Sequence, residues 1–328
     1  MAKNNCMIMN PTNRQLLSVV VPVFNEAGNI HKIYTELLRV FDTLSYDYEI
    51  IFVDDGSRDN SLKLIQGIVA GQSNVFFIEL SRNFGHQHAL KAGLDAARGH
   101  GVISMDCDMQ HPPEIIPQLV ALWEKGYDVV YTVREDDPGL SWFKRKSSSY
   151  FYKLLNKLSG IELEKGVADF RLMDRSMVDV FIRFGENDLF IRGLVKWMGF
   201  KQASVRYTPN GRYSGKSKYS LMRMVALAFK GITSFSTKPL VITAYLGILF
   251  FLISLIYLPY ALISYFTGHA VSGWTSIIMT VIFFGGLQLL MLGIIGLYLG
   301  RIAVQGKGRP QYVIRTTNHP AVVKATYA

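Results

Sequence analysis

Apolar and polar positions alternate along the first half of the chain in blocks that switch between two periods. Residues 17–23 form a short apolar run, Leu17-Ser18-Val19-Val20-Val21-Pro22-Val23, which ends in loop residues and predicts a buried strand. From Gly28 to Leu44 the apolar residues Ile30, Ile33, Leu37, Leu38, Phe41 and Leu44 fall at helical spacing. The exchange then repeats. Strands are predicted over 49–53, 75–80, 102–105 and 128–133, and helices over 60–69 and 89–97. Such alternation predicts an α/β domain with a mostly parallel sheet and helices on both faces. Ligands of such sheets sit at the carboxyl ends of the strands. Three loops rich in acids and small polar residues lie there, at 24–28, 54–59 and 106–110.

The pattern changes at Pro239. From there to Gly300 the chain holds no Asp, Glu, Lys or Arg. A membrane-spanning helix needs about 20 apolar residues, so this stretch predicts two spans, near 240–263 and 276–299, joined by a short turn at 267–270. Lys216, Lys218, Arg223, Lys230 and Lys238 precede the first span, and Arg301, Lys307, Arg309 and Arg315 follow the second. The positive-inside bias then places both termini and the N-terminal domain in the cytoplasm. Two flanking stretches, 141–159 and 219–235, mix aromatic and aliphatic bulk with cationic residues and are candidates for the headgroup plane.

Composition and charge refine this picture. With 328 residues, 49% of them hydrophobic, the chain is neither a disulfide mini-protein nor a disordered one. The net charge of +10 is unevenly placed: all 25 acidic residues precede Leu189. The C-terminal part therefore suits an anionic partner, and the membrane accounts for much of it. No nucleic-acid-binding motif accompanies the basic residues, so nucleic acid is not an expected partner. Cys6 and Cys107 are too few for a disulfide framework, which fits a reducing compartment.

Several short motifs carry chemistry. Asp106-Cys107-Asp108 closes a predicted strand and is followed by Gln110. Carboxylates one residue apart on a turn can share a hard divalent cation that also takes substrate phosphates. Asp54-Asp55-Gly56-Ser57 gives two acids at another strand end. They suit either a nucleobase or ribose contact or a helix cap and turn. Phe24-Asn25-Glu26-Ala27-Gly28 is neither a dinucleotide fingerprint nor a P-loop, which argues against redox chemistry on a dinucleotide and against ATP hydrolysis. Asp169 lies in a mixed apolar context, and 212–219 is a basic loop suited to phosphates or headgroups. His86, His88, His100 and His111 match no zinc spacing and read as polar groove residues.

Taken in order, V-P-V-F-N-E at 21–26, V-D-D-G-S at 53–57, S-R-N-F-G at 81–85, D-C-D-M-Q-H-P-P-E at 106–114, D-F-R-L-M-D-R at 169–175 and G-K-S-K-Y at 215–219 resemble the bacterial polyprenyl-phosphate glycosyltransferases of glycosyltransferase family 2. These are relatives of dolichol-phosphate mannose synthase with a C-terminal pair of membrane helices. The resemblance covers roughly residues 16–310. It implies a GT-A fold and inverting transfer of a sugar from a nucleotide-diphosphate donor to polyprenyl phosphate. By matching motif, Pro22, Phe24, Glu26 and Asp55 would hold the nucleoside, and Asp106, Asp108 and Gln110 would surround Mg²⁺ or Mn²⁺. Asp169 matches the family's catalytic aspartate, and Asp108 is placed with it in the catalytic set. Arg212 and Lys218 would engage phosphates. His86 stands where Lys is as often expected. The first expectation for the donor is UDP-glucose, and the resemblance also implies a homotetramer.

The resulting map is an N-terminal tail (1–15), a cytoplasmic catalytic domain (16–215), a juxtamembrane amphipathic helix (216–238), two transmembrane helices (239–300) and a basic cytoplasmic tail (301–328). The segment 134–146 suits a mobile lid. Two rival functions make different demands on the sequence. A processive polysaccharide synthase would carry Q-x-x-R-W, which Arg192-Gly193-Leu194-Val195-Lys196-Trp197 does not match. A membrane-anchored nucleotide-sugar sensor would make the acids at 106 and 108 dispensable.

Overall fold

The computed structural model describes residues 15–135, 164, 166–187, 189–208, 236–267 and 273–322. Arg212, Lys218 and both amphipathic stretches lie outside them, as do all but the first two residues of the expected lid. The chain divides into two compact units, one holding the described residues up to 208 and from Pro310 onward, the other residues 236–309.

The first unit is built on β1 (Leu16–Val23), β2 (Asp47–Asp54), β3 (Val75–Leu80), β4 (Gly101–Ser104), β5 (Val129–Arg134), β6 (Val167–Asp174), β7 (Gln202–Tyr207) and β8 (Ile314–Thr317). They form one sheet in the order β7-β5-β6-β4-β1-β2-β3-β8. Between them run α1 (Ile30–Phe41), α2 (Ser61–Val69), α3 (His86–Ala96), α4 (Ile116–Glu124), α5 (Arg175–Phe181) and α6 (Ile191–Trp197). The predicted apolar runs are the central strands, and Val19, Ile50, Phe52 and Ile103 are fully buried. Each such side chain contributes roughly 1.5–3 kcal/mol relative to exposure. The first helix is shorter than its 28–44 pattern and turns Ile30, Ile33, Leu37 and Phe41 into the core. At Gly93 of α3, an added Cβ would lie 2.2 Å from the Val20 side chain, so this glycine lets the helix approach β1 closely.

Four of the seven strand pairs among the described residues are parallel, β5 with β7 among them, but the sheet is not parallel throughout. β1 pairs in parallel with β2 and β4, and β2 with β3. β6, however, is antiparallel to both its neighbours, β4 and β5, and β8 is antiparallel to β3. The sheet is mixed because β6 inserts between β4 and β5 and reverses the chain there. Ser104 Oγ and Thr132 Oγ1 donate to the carbonyls of Asp169 and Phe170, at 2.6 and 2.9 Å, and fix β6 from either side.

The segment read as a basic tail also differs. Its residues 314–317 complete the sheet edge, where Arg315 and Thr316 bond to Glu79 at 2.9 and 2.7 Å. His319 follows, fully buried. Its Nε2 lies 3.7 Å from Glu49, which also receives Arg98 and Ser18. Burial pushes the Glu49 carboxyl up, but His319, Ser18 and Arg98 outweigh it and draw it down to about 2.

The second unit contains α7 (Lys238–Phe266) and α8 (Trp274–Gln305), which extend past both expected spans. Phe250 of α7 meets Phe283 and Phe284 of α8 edge-on, at 6.3 and 5.3 Å between ring centroids. Among the described residues one helix, over Phe283–Gln305, is long and apolar enough to cross a membrane by length and composition. The apolar helix over Lys238–Phe250 is shorter.

Candidate active site

The expected polar loops follow the carboxyl ends of β1, β2 and β4, on one edge of the sheet. The loop after β1 is shaped by hydrogen bonds to the loop after β2. Asn25 takes φ 56°, in the left-handed region that Asn tolerates better than most residues. Its N–H donates to Ser57 Oγ at 2.9 Å, and its Oδ1 accepts from Arg58 N at 2.8 Å. Glu26 N and Ala27 N donate to Ser61 Oγ and Asp59 Oδ2, at 3.0 and 3.2 Å. Pro22 is buried on β1, Glu26 is half-buried with its carboxylate accepting from Asn29, and Phe24 stands out at 43% exposure.

Asp55 is almost fully buried, and its two oxygens accept from Phe84 N at 2.7 Å and Gly85 N at 2.9 Å. Burial raises its carboxyl, more than these two bonds lower it. In this structure the carboxylate shapes the 84–85 turn. Gly56, at φ 69°, permits this: a Cβ there would lie 2.7 Å from the carbonyl carbon of Arg82.

The other side of the site is ionic. Asp169 lies on β6 with its side chain 6% exposed. Arg192, at the start of α6, grips it with two parallel bonds, Nε to Oδ1 at 2.9 Å and Nη2 to Oδ2 at 2.8 Å. The fully buried Arg171, two residues along β6 and on the same face, adds Nη2 to Oδ1 at 2.9 Å. Gln87 Nε2 donates to Oδ2 at 3.4 Å, and Gln87 Oε1 accepts from Ile191 N. Burial raises the Asp169 carboxyl, but Arg192 and Arg171 overcome it and hold it well below the usual carboxylate range.

Asp106 adjoins this cluster. His86 Nε2 lies 3.3 Å from its Oδ1 and 3.7 Å from Asp169 Oδ2, bridging the two acids. His111 Nε2 meets Asp106 Oδ2 at 3.1 Å and is fixed through Nδ1 by the Tyr207 hydroxyl at 2.7 Å. Burial pushes the Asp106 carboxyl up, but His86 and His111 outweigh it and hold it low. Burial likewise pushes the Tyr207 hydroxyl up to about 12. Met109 takes φ 63°, an uncommon conformation for an unbranched apolar residue, and so turns the chain between Asp108 and Gln110. Gln110 N donates to Asp108 Oδ1 at 3.1 Å, and Gln110 Oε1 accepts from Arg134.

Among the described residues no three His, Cys, Asp or Glu form a metal-holding group. The hard-oxygen set of two carboxylates and an amide at 106, 108 and 110 still fits a divalent cation completed by substrate phosphates. Asp106 Oδ1 is buried and makes no hydrogen bond of good geometry among the described residues, its neighbour being the His86 ring nitrogen at 3.3 Å.

The structure thus brings together Asp106, Asp108, Gln110 and Asp169 on one side and Pro22, Phe24, Glu26 and Asp55 on the other. Arg192, Arg171 and Gln87 carry no role in the sequence motifs, and His86 and His111, expected as polar groove residues, lie against the acids. Arg171 carried a signal, since residues i and i+2 of a strand share a face. Arg192, distant in sequence, carried none.

The profile of glycosyl transferase family 2 matches residues 18–181. The chain is 42% identical over 299 residues to an uncharacterised glycosyltransferase of Bacillus subtilis, covering 91% of this chain and 93% of that one. It is 39% identical over 301 residues to a prophage bactoprenol glucosyl transferase homologue of Escherichia coli, covering 91% and 98% respectively. Among solved structures, it is similar to a mannosyl-3-phosphoglycerate synthase from Rubrobacter xylanophilus, with a TM-score of 0.47 and 15% identity over 66% of this chain and 71% of the other.

Proposed function

The chain belongs to glycosyl transferase family 2, and from that premise we propose that it moves a hexose from a nucleotide-diphosphate sugar to the phosphate of a polyprenyl lipid. Glucose from UDP-glucose is the first choice, supported by relatives named bactoprenol glucosyl transferases. The observation that carries the reading is the joining of Asp106, through His86, to the guanidinium-held Asp169 at one edge of the sheet.

In the proposed reaction an acceptor phosphate oxygen forms the bond to the anomeric carbon. The bond from that carbon to the donor's diphosphate oxygen breaks, its electron pair leaves on the diphosphate, and the configuration inverts. The attacking phosphate is already ionised at pH 7, with a second pKa near 6, so no strong base is needed to activate it. Catalysis then rests on positioning and on charge. Pro22, Phe24, Glu26 and the turn built on Asp55 form the nucleoside cradle. Asp106, Asp108 and Gln110 are the residues that would hold Mg²⁺ or Mn²⁺. When bound, that cation supplies positive charge against the charge developing on the leaving diphosphate. Arg212 and Lys218 complete the phosphate contacts in this proposal. We place α7 and α8 across the membrane with both ends cytoplasmic, a reading supported by the basic residues that flank them.

The test is incubation of the purified full chain in detergent with undecaprenyl phosphate, Mg²⁺ and a panel of labelled UDP- and GDP-sugars. Label entering the lipid phase from one donor, lost on chelation, is the expected result. Label from no donor overturns the reading.

A further inference from the structure

We infer that Arg192 binds a substrate phosphate in this site, and that Asp169 is the positioning residue that holds its guanidinium. The inference rests on the glycosyl-transfer reading and names a residue of that same site. Four donors converge on the two Asp169 oxygens: Arg192 Nε and Arg171 Nη2 at Oδ1, Arg192 Nη2 and Gln87 Nε2 at Oδ2. A carboxylate so engaged has to give up guanidinium bonds before it can take a proton. Exposure orders the pair the same way. The Asp169 side chain is 6% exposed and that of Arg192 is 33% exposed, so a molecule entering this corner meets the guanidinium before the carboxylate.

Two guanidiniums share this one carboxylate, and Arg171 is sealed in the core behind it. The two parallel bonds from Nε and Nη2 fix the guanidinium plane, as a preorganised anion site requires. Gln87 ties the start of α6 to the start of α3, so the same network sets where Arg192 stands. The phosphate it meets belongs either to the lipid acceptor or to the nucleotide donor, and the shared chemistry is an oxyanion.

Removing Asp169 would strand Arg171 in the core and risks unfolding the domain, so the test uses Arg192. Full-length wild type, Arg192→Ala and Arg192→Lys are compared for binding of UDP and of farnesyl phosphate, for KM and kcat of transfer, and for melting temperature. Arg192→Ala is expected to weaken binding of at least one of the two phosphates about 10–100-fold, in keeping with the loss of a charge-assisted bond. Arg192→Lys recovers part of that loss, and added guanidinium restores Arg192→Ala. The ligand that weakens identifies which phosphate is bound. Unchanged affinity for both ligands in Arg192→Ala, with only a lowered melting temperature, overturns the inference. So does failure of the wild type to bind either. If wild type makes glucosyl lipid and Arg192→Ala does so equally well, the inference falls and the function stands. If affinity falls as expected and wild type makes no glucosyl lipid, the inference stands and the function falls.

Discussion

The two sides of the site are made in different ways. Around β1 and β2 the loops are held by hydrogen bonds that all use a backbone N–H: Asn25 with Ser57 and Arg58, Glu26 with Ser61, and Asp55 with Phe84 and Gly85. Around β4, β6 and α6 the contacts are ionic, with Asp106 and Asp169 set among His86, His111, Arg171 and Arg192. The first side fixes a shape, which a nucleoside needs. The second fixes a field, which suits a reaction that moves negative charge between phosphates. A glycosyltransferase on one sheet needs both, and here the first comes from the parallel β1 and β2 while the second adds the antiparallel β6 to β4.

The largest expected effect breaks the ionic side. Asp169→Asn leaves the fully buried Arg171 without its carboxylate and should cost about 3–5 kcal/mol of stability, read as a fall in melting temperature. If that variant melts like the wild type, the corner is more solvated than its burial implies. Asp106→Asn comes next. It keeps a hydrogen-bond acceptor for His111 and loses the charge, so kcat/KM should fall about 10²–10³-fold, the equivalent of a few kcal/mol of transition-state charge stabilisation, with little change in melting. Activity within tenfold of wild type would show that the ionic side does not carry the chemistry.

A third ion cluster sharpens the contrast because it lies away from the polar loops. Glu49 sits near the amino end of β2, with Arg98 and His319, and has no part in the proposed reaction. Its folded pKa is depressed from 4.5 to about 2. The sign is that of a paired carboxylate: its contribution is fully present above about pH 4.5 and is lost as the pH falls through about 2. Glu49→Gln should therefore lower stability by about 3 kcal/mol at pH 7 and leave kcat/KM unchanged. The gap to wild type should close between pH 4.5 and 2 in acid-unfolding curves. The smallest effect is expected on the side built from backbone N–H bonds. Asp55→Ala leaves the N–H groups of Phe84 and Gly85 without their acceptor, which should cost about 1–3 kcal/mol and raise KM for the nucleotide sugar more than it lowers kcat.

The same division governs how far the sequence could be read. β1, β3 and residues 50–53 of β2 are nearly unbroken apolar runs buried on both faces, and their pattern states what they are. In β6 the run is interrupted by Asp169 and Arg171, because one of its faces lines the site. β7 is half exposed and β8 only four residues long, so neither offers a periodic signal. Strand direction is invisible in the pattern, and β6 lies antiparallel between β4 and β5 only through tertiary pairing. Acids at a strand end are legible as chemistry in Asp106 and Asp108, whereas Asp169, inside β6, is marked only by the family resemblance. The basic side chains set around those acids are not legible. His86 and Arg192 acquire their meaning from folding, when α3 and α6 bring them to β4 and β6.

The measurement that tests the account most directly is the structure of the lipid product. The full chain in detergent, given UDP-glucose labelled at the anomeric carbon and undecaprenyl phosphate, is analysed by carbon and phosphorus NMR. The account predicts one phosphate per glucosyl lipid, a β linkage inverted from the α donor, and one UDP released for each sugar moved. A lipid diphosphate with release of UMP, or a retained α linkage, would contradict it.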